Sequence, residues 1–268
     1  MMRRLLCVSL AMALFVFFPL QASASTYSEL VDGILTDYSD VDDLASNVNQ
    51  QKVNGLYRSV ELLSVIAMEF DTTGNANEMI QGVLSDYATY DDLSENVNHQ
   101  MVNGAYRAVD LLTVIAYELD SSGNYSELIQ GVQSDYASQD DAAANADQQT
   151  VNGLYRAVEL LSIIAYELDA TGNAASLIQG VLSDYANYND AAVNVNYQTV
   201  NGAYRMVDML TIIAYELDGT GNADTLIQGV LSDYASFDSS AENINQQIVN
   251  GLYRSVELLA IIAYENAP

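Results

Sequence analysis

Only one cysteine, Cys7, occurs in the 268 residues, and there is no tryptophan. Cys7 lies in an N-terminal stretch that reads as a removable leader, so the rest of the chain has no disulfide and no thiol chemistry. Proline is nearly absent: Pro19 and Pro268 stand at opposite ends, and every helix break between them must come from Gly, Asn or Ser/Thr. Positive charge is the third scarcity, with 8 basic side chains against 36 acidic ones. The formal net charge is −28, and losing Arg3 and Arg4 with the leader would make it −30. Nucleic acids and anionic membrane surfaces both require clusters of Lys and Arg, so neither is expected as a partner. Half of the residues are apolar, which argues against an acidic disordered tail.

Residues 1–24 have the pattern of a secretory signal peptide. Arg3-Arg4 provides a positive start, Leu5 to Leu20 an apolar core, and Ala22-Ser23-Ala24 a small-residue cleavage site. Past the leader, no segment is apolar for long enough to span a bilayer. The expected product is exported, periplasmic or extracellular, with no membrane attachment after cleavage.

The remaining chain is periodic. Val-Asn-Gly-x-Tyr-Arg begins at Val53, Val102, Val151, Val200 and Val249, a constant step of 49. Asp-Tyr recurs with the same step from Asp37 to Asp233. A constant step without insertions makes the connections part of the unit, as in stacked helical arrays. The expected fold is all-α: an α-solenoid-like array of five 49-residue units, each of two to three helices. The boundaries are 25–75, 76–124, 125–173, 174–222 and 223–268.

Within a unit the pattern predicts a helix, a turn and a longer helix. The first helix is expected to start at Thr26, Asn75, Asn124, Asn173 and Asn222, with Glu29, Glu78 and Glu127 completing capping boxes. A second cap is expected at Asp40, Thr89, Ser138, Asn187 and Ser236. Acids such as Asp91-Asp92 and Asp140-Asp141 would then oppose the dipole of the second helix. That helix would run for roughly 29 residues, about 43 Å, unless Asn-Gly breaks it; a break or kink there is favoured, because glycine weakens helices. Gly172 is placed to end the long helix in a left-handed conformation.

Two sets of recurrent residues invite a functional reading. Asn47, Gln51, Asn54, Arg58 and Glu61, with their equivalents Asn145, Gln149, Asn152, Arg156 and Glu159, make one polar stripe at helical spacing. A structural hydrogen-bond ladder, with Arg pairing an acid three residues on or in the next unit, accounts for it better than a concave ligand-reading surface does. The recurrent glycines Gly33, Gly55, Gly82, Gly104, Gly131, Gly153, Gly180, Gly202, Gly229 and Gly251 suggest close backbone approach where helices cross.

Catalysis has no unique constellation to work with, since every recurrent acid occurs in several copies. His99 stands where other copies have Gln or Tyr. The Asp71-x-Thr-Gly-Asn75 turn lacks the sixth-position Gly and twelfth-position Glu of an EF-hand, so capping explains it without a metal. No enzyme, cofactor or specific metal site is expected; calcium would bind only diffusely, by bridging surface carboxylates. The leading expectation is an exported noncatalytic binding or scaffolding protein that acts through multivalent repeated surfaces. The alternative is a self-assembling structural protein of a cell surface, sheath or biofilm matrix, stacked through poorly capped ends with Ca²⁺ assistance. The acidity also suits a saline habitat, in which case NaCl and KCl should raise the melting temperature equally.

Overall fold

A computed structural model describes residues 29–36, 48–93, 97–120, 122–142, 146–191, 194–218, 221–240 and 243–266. The predicted leader, the expected caps Thr26 and Asp40, and Asn47 and Asn145 lie outside them. Among the described residues the structure is all-helical. Helix α1 comprises residues 29–36. It is followed by α2 (Val48–Phe70), α3 (Asn77–Leu93), α4 (Val97–Leu119), α5 (Ser126–Ala142), α6 (Ala146–Leu168), α7 (Ala175–Ala191), α8 (Val195–Leu217), α9 (Asp224–Ser240) and α10 (Ile244–Asn266).

The long helices α2, α4, α6, α8 and α10 are 23 residues each and form the core. In α2 every residue from Lys52 to Ala67 is buried, so the helix is enclosed on all sides. The 17-residue helices α3, α5, α7 and α9 bury a single stripe, anchored by Ile80, Ile129, Ile178 and Ile227, none of which has any exposed surface. Each packs chiefly on the long helix that follows it and more lightly on the one before.

Every long helix packs on the next, and α10 packs on α2. Among the described residues the long helices therefore close into a ring, which the expected α-solenoid-like array did not specify. A cross-ring bond from Lys52 Nζ to Asn245 Oδ1 (2.7 Å) and another from the Tyr264 hydroxyl to Asp32 span the closure. Equivalent residues meet at one level: Gly104 lies against Leu56 and Tyr57, Gly202 against Leu154 and Tyr155, and Gly55 against Leu252 and Tyr253. The long helices consequently run parallel, with all their C-terminal ends on one side of the ring.

Several helix boundaries differ from the expected ones. The long helices run through Asn54-Gly55 and its equivalents without a break, because glycine's missing side chain is what lets the neighbouring helix seat there. Thr89, Ser138, Asn187 and Ser236 are not caps; they lie inside the short helices, and Asp91-Asp92 and Asp140-Asp141 fall in their last turns. The long helix starts later. Asn194 and Asn243, equivalents of Asn47 and Asn145, accept the backbone N–H two residues on at 2.9 Å, as N-caps do.

The short-helix starts are also shifted by one residue. Ala76, Tyr125, Ala174 and Ala223 accept the first helical bond, rather than the asparagines before them. Their own N–H groups donate to Asp71, Asp120, Asp169 and Asp218 at 3.0–3.2 Å. One aspartate at the end of each long helix thus closes the start of the next short one. Gly74, Gly123, Gly172 and Gly221, with φ of 72–74°, make the reversal between them.

Candidate functional site: the polar ladder and the glycine seams

Asn54, Arg58 and Glu61 are buried in α2, as are Asn152 and Arg156 in α6, while Gln51, Gln149 and Glu159 are partly exposed. Each arginine meets the acid three residues on: Arg58–Glu61 at 3.1 Å, Arg107–Asp110, Arg156–Glu159 and Arg205–Asp208 at 3.2 Å, and Arg254–Glu257 at 3.0 Å. Arg205 also bonds Asp184 on α7 at 3.2 Å, and Arg254 bonds Asp233 on α9 at 3.4 Å, tying short helices to long ones. Asn201 of α8 donates to the Tyr155 hydroxyl of α6 at 3.4 Å. Among the described stripe residues, Asn54, Asn152, Arg58 and Arg156 are buried, and the two arginines are matched by carboxylates. Truncating such an arginine would strand a desolvated acid; of these pairs, the i,i+3 ones lie within one helix, and Arg205–Asp184 and Arg254–Asp233 cross between helices.

Arg205 stands between two carboxylates, and the balance shows at Asp208. Burial pushes the Asp208 carboxyl up to about 6, against the downward pull of Arg205, and Asp184 adds to the rise. The folded chain therefore keeps a proton that the unfolded chain releases near 3.8. The resulting stability is full below 3.8 and drains as pH rises through about 6. Asp208→Asn should flatten that slope and raise stability at pH 7 by on the order of 1 kcal/mol. Urea midpoints of both proteins between pH 4 and 7 check it; parallel profiles would refute the assignment.

At the C-terminal end of the ring, burial raises the pKa of Glu118, Glu167 and Glu216, and Asp71, Asp120 and Asp169 respectively add to the rise. Asp120 moves the other way. Burial would raise it, but the Ser126 hydroxyl and the backbone N–H groups of Tyr125, Asn124 and Gly123 hold it below the usual range. The turn that faintly resembled a calcium loop thus directs its first carboxylate at helix N–H groups. Among the described residues no group of three or more His, Cys, Asp or Glu is placed to hold a metal ion.

At the opposite end Lys52, the single lysine, is buried. Burial lowers its pKa, while Asp147 on α6 acts to raise it. Its ammonium donates to Asn245 Oδ1 on the adjacent helix α10 at 2.7 Å. Sequence reading gave Lys52 no role; its being the sole lysine, at a position held elsewhere by Met101, Thr150, Thr199 and Ile248, was the available signal.

The ten recurrent glycines divide into two sets. A Cβ built on Gly55, Gly104, Gly153, Gly202 or Gly251 would come within 2.7–2.9 Å of the Cβ of a residue on the neighbouring long helix. These are the crossing seams. Gly33, Gly82, Gly131, Gly180 and Gly229 are not: a Cβ there meets nothing within 4 Å. Their helices pack through the isoleucine stripe, and the glycines face away from it. His99 is exposed. No described helix is long and apolar enough to cross a membrane. No protein-family model, no curated protein and no solved structure matches the chain.

Proposed function

We propose that this chain is a closed array of five 49-residue helical units serving as an exported, noncatalytic binding or scaffolding protein. The observation that carries the reading is the ring itself. Its polar ladder is engaged internally, and its short helices turn similar faces outward around the circumference. Weak contacts repeated on one rigid body add up to strong avidity. Rigidity comes from the core of long helices, with α2 enclosed on all sides, and from the aspartate and left-handed glycine that close each described turn from a long helix to the next short one.

The self-assembly alternative rested on open ends able to stack. Packing of α10 on α2 removes those ends, which favours the binding reading over end-to-end growth. Light scattering of the full chain, with and without Ca²⁺, should give one chain per particle. Ordered multimers under either condition would transfer support to assembly. Native mass spectrometry of the chain mixed with exported proteins of the same cells should show several partner copies per ring; a single copy would defeat multivalency.

A further inference from the structure

The short helices carry a feature that the fold does not use. Met79, Leu128, Leu177 and Leu226 are 54, 58, 63 and 62% exposed, at corresponding positions of α3, α5, α7 and α9. The residue after each is the fully buried isoleucine, so the exposed chain stands on the flank of a firmly docked helix. One turn further on come Gly82, Gly131, Gly180 and Gly229, all open to solvent. Aliphatic side chain plus bare backbone makes a small flat apolar step at each site. Glycine weakens a helix, and no internal contact here compensates for it.

Charge selects the occupant. Exposed Glu78 and Glu127 immediately precede Met79 and Leu128, and exposed Asp224 lies two residues before Leu226. Asp184 and Asp233, which pair with Arg205 and Arg254, still leave 61 and 64% of their side-chain surface exposed two turns beyond Leu177 and Leu226. A second copy of a chain with net charge −28 would bring carboxylates against carboxylates. The complementary object is a helix with an aliphatic face for the step and Lys or Arg for the flanking acids.

We propose that these four positions form a docking belt for cationic amphipathic helices of a partner protein, one per site. This rests on the binding reading above and names its surface and its class of partner. The test uses the full chain and a synthetic 14-residue helix with leucines at i, i+3, i+4 and i+7 and lysines elsewhere, titrated calorimetrically at 0.15 and 0.5 M NaCl. Saturation near four peptides is expected, with binding retained at high salt, where charge attraction is screened.

The quadruple variant M79Q/L128Q/L177Q/L226Q keeps the charge and, altering only exposed positions, should keep the fold by circular dichroism. It should bind at least tenfold more weakly at 0.5 M NaCl, and Leu177→Gln alone should remove one site. Unchanged binding by the quadruple variant would reduce the interaction to bulk charge and overturn the belt. So would no peptide binding at all, or a self-association of the parent chain that the variant loses. If the belt fails while native mass spectra still show several partner copies, the binding reading stands on another surface; if both fail, both fall.

Discussion

Gly153→Ala is expected to destabilise the protein by about 2–3 kcal/mol, while Gly180→Ala stabilises it by about 0.5–1 kcal/mol. The two glycines are both helical, and both recur with the 49-residue step. Helix propensity alone predicts the same small gain for both. What separates them is the neighbour. A Cβ on Gly153 would lie 2.7 Å from the Ala105 Cβ and 3.2 Å from the Ala105 carbonyl carbon, atoms fixed to the next helix's backbone. No rotamer change relieves such a contact, so the α4–α6 seam has to widen along its length. A Cβ on Gly180 meets nothing within 4 Å, and its gain is the reduced entropy of the unfolded chain. Denaturant midpoints of the two variants settle the sign. Equal shifts in one direction would mean that the long helices are not held at this separation.

Such seams were half legible in the sequence. Val-Asn-Gly-x-Tyr-Arg at a step of 49 located every long helix, and the arginine with an acid three residues on is the ion pair seen in each. Which glycines are seams was not legible, because Gly55 and Gly33 have the same local signature of glycine within an amphipathic run. Only the tertiary neighbour distinguishes them. Helix starts were misplaced for a related reason. Asn75 has the chemistry of a cap, but Asp71 reaches the N–H of Ala76 from the preceding helix end and moves the cap position one residue on. Thr89 and Ser138 likewise look like starts, yet the short helices run on for a turn beyond them. The acids around these points suited a helix start, yet they fall in the last turns of the short helices. Closure was the least legible feature. It depends on the small rotation between consecutive helices, summed over five steps, and that rotation is fixed by how closely backbones approach at the seams.

Removing residues 219–268, the last short and long helix, is expected to collapse the structure rather than shorten it. In an open array the terminal pair contributes one interface, and the remaining four pairs stay folded with modestly reduced stability. In the ring α10 packs on both α8 and α2, so its removal bares two faces at once. Leu56 of α2, which is buried in the intact ring, lies on the same seam as Gly55 and Leu252. Two apolar strips of this kind exceed what a marginally stable domain can leave in water, so loss of soluble monomer is the expected outcome. Light scattering and circular dichroism of the truncated chain would show aggregation, pairing of two chains or loss of helix; a stable helical monomer would refute closure. A point substitution asks the same question without deleting anything. Gly55 belongs to the first of the described long helices, and in an open array no other described long helix would pack on this face, so Gly55→Ala would add helix propensity and stabilise. In the ring its Cβ would sit 2.9 Å from the Leu252 Cβ, nearly 200 residues further along the chain. Gly55→Ala should therefore destabilise by about 1–3 kcal/mol, as Gly104→Ala should against Leu56, and a denaturant midpoint moving upward would mean that the two ends do not meet.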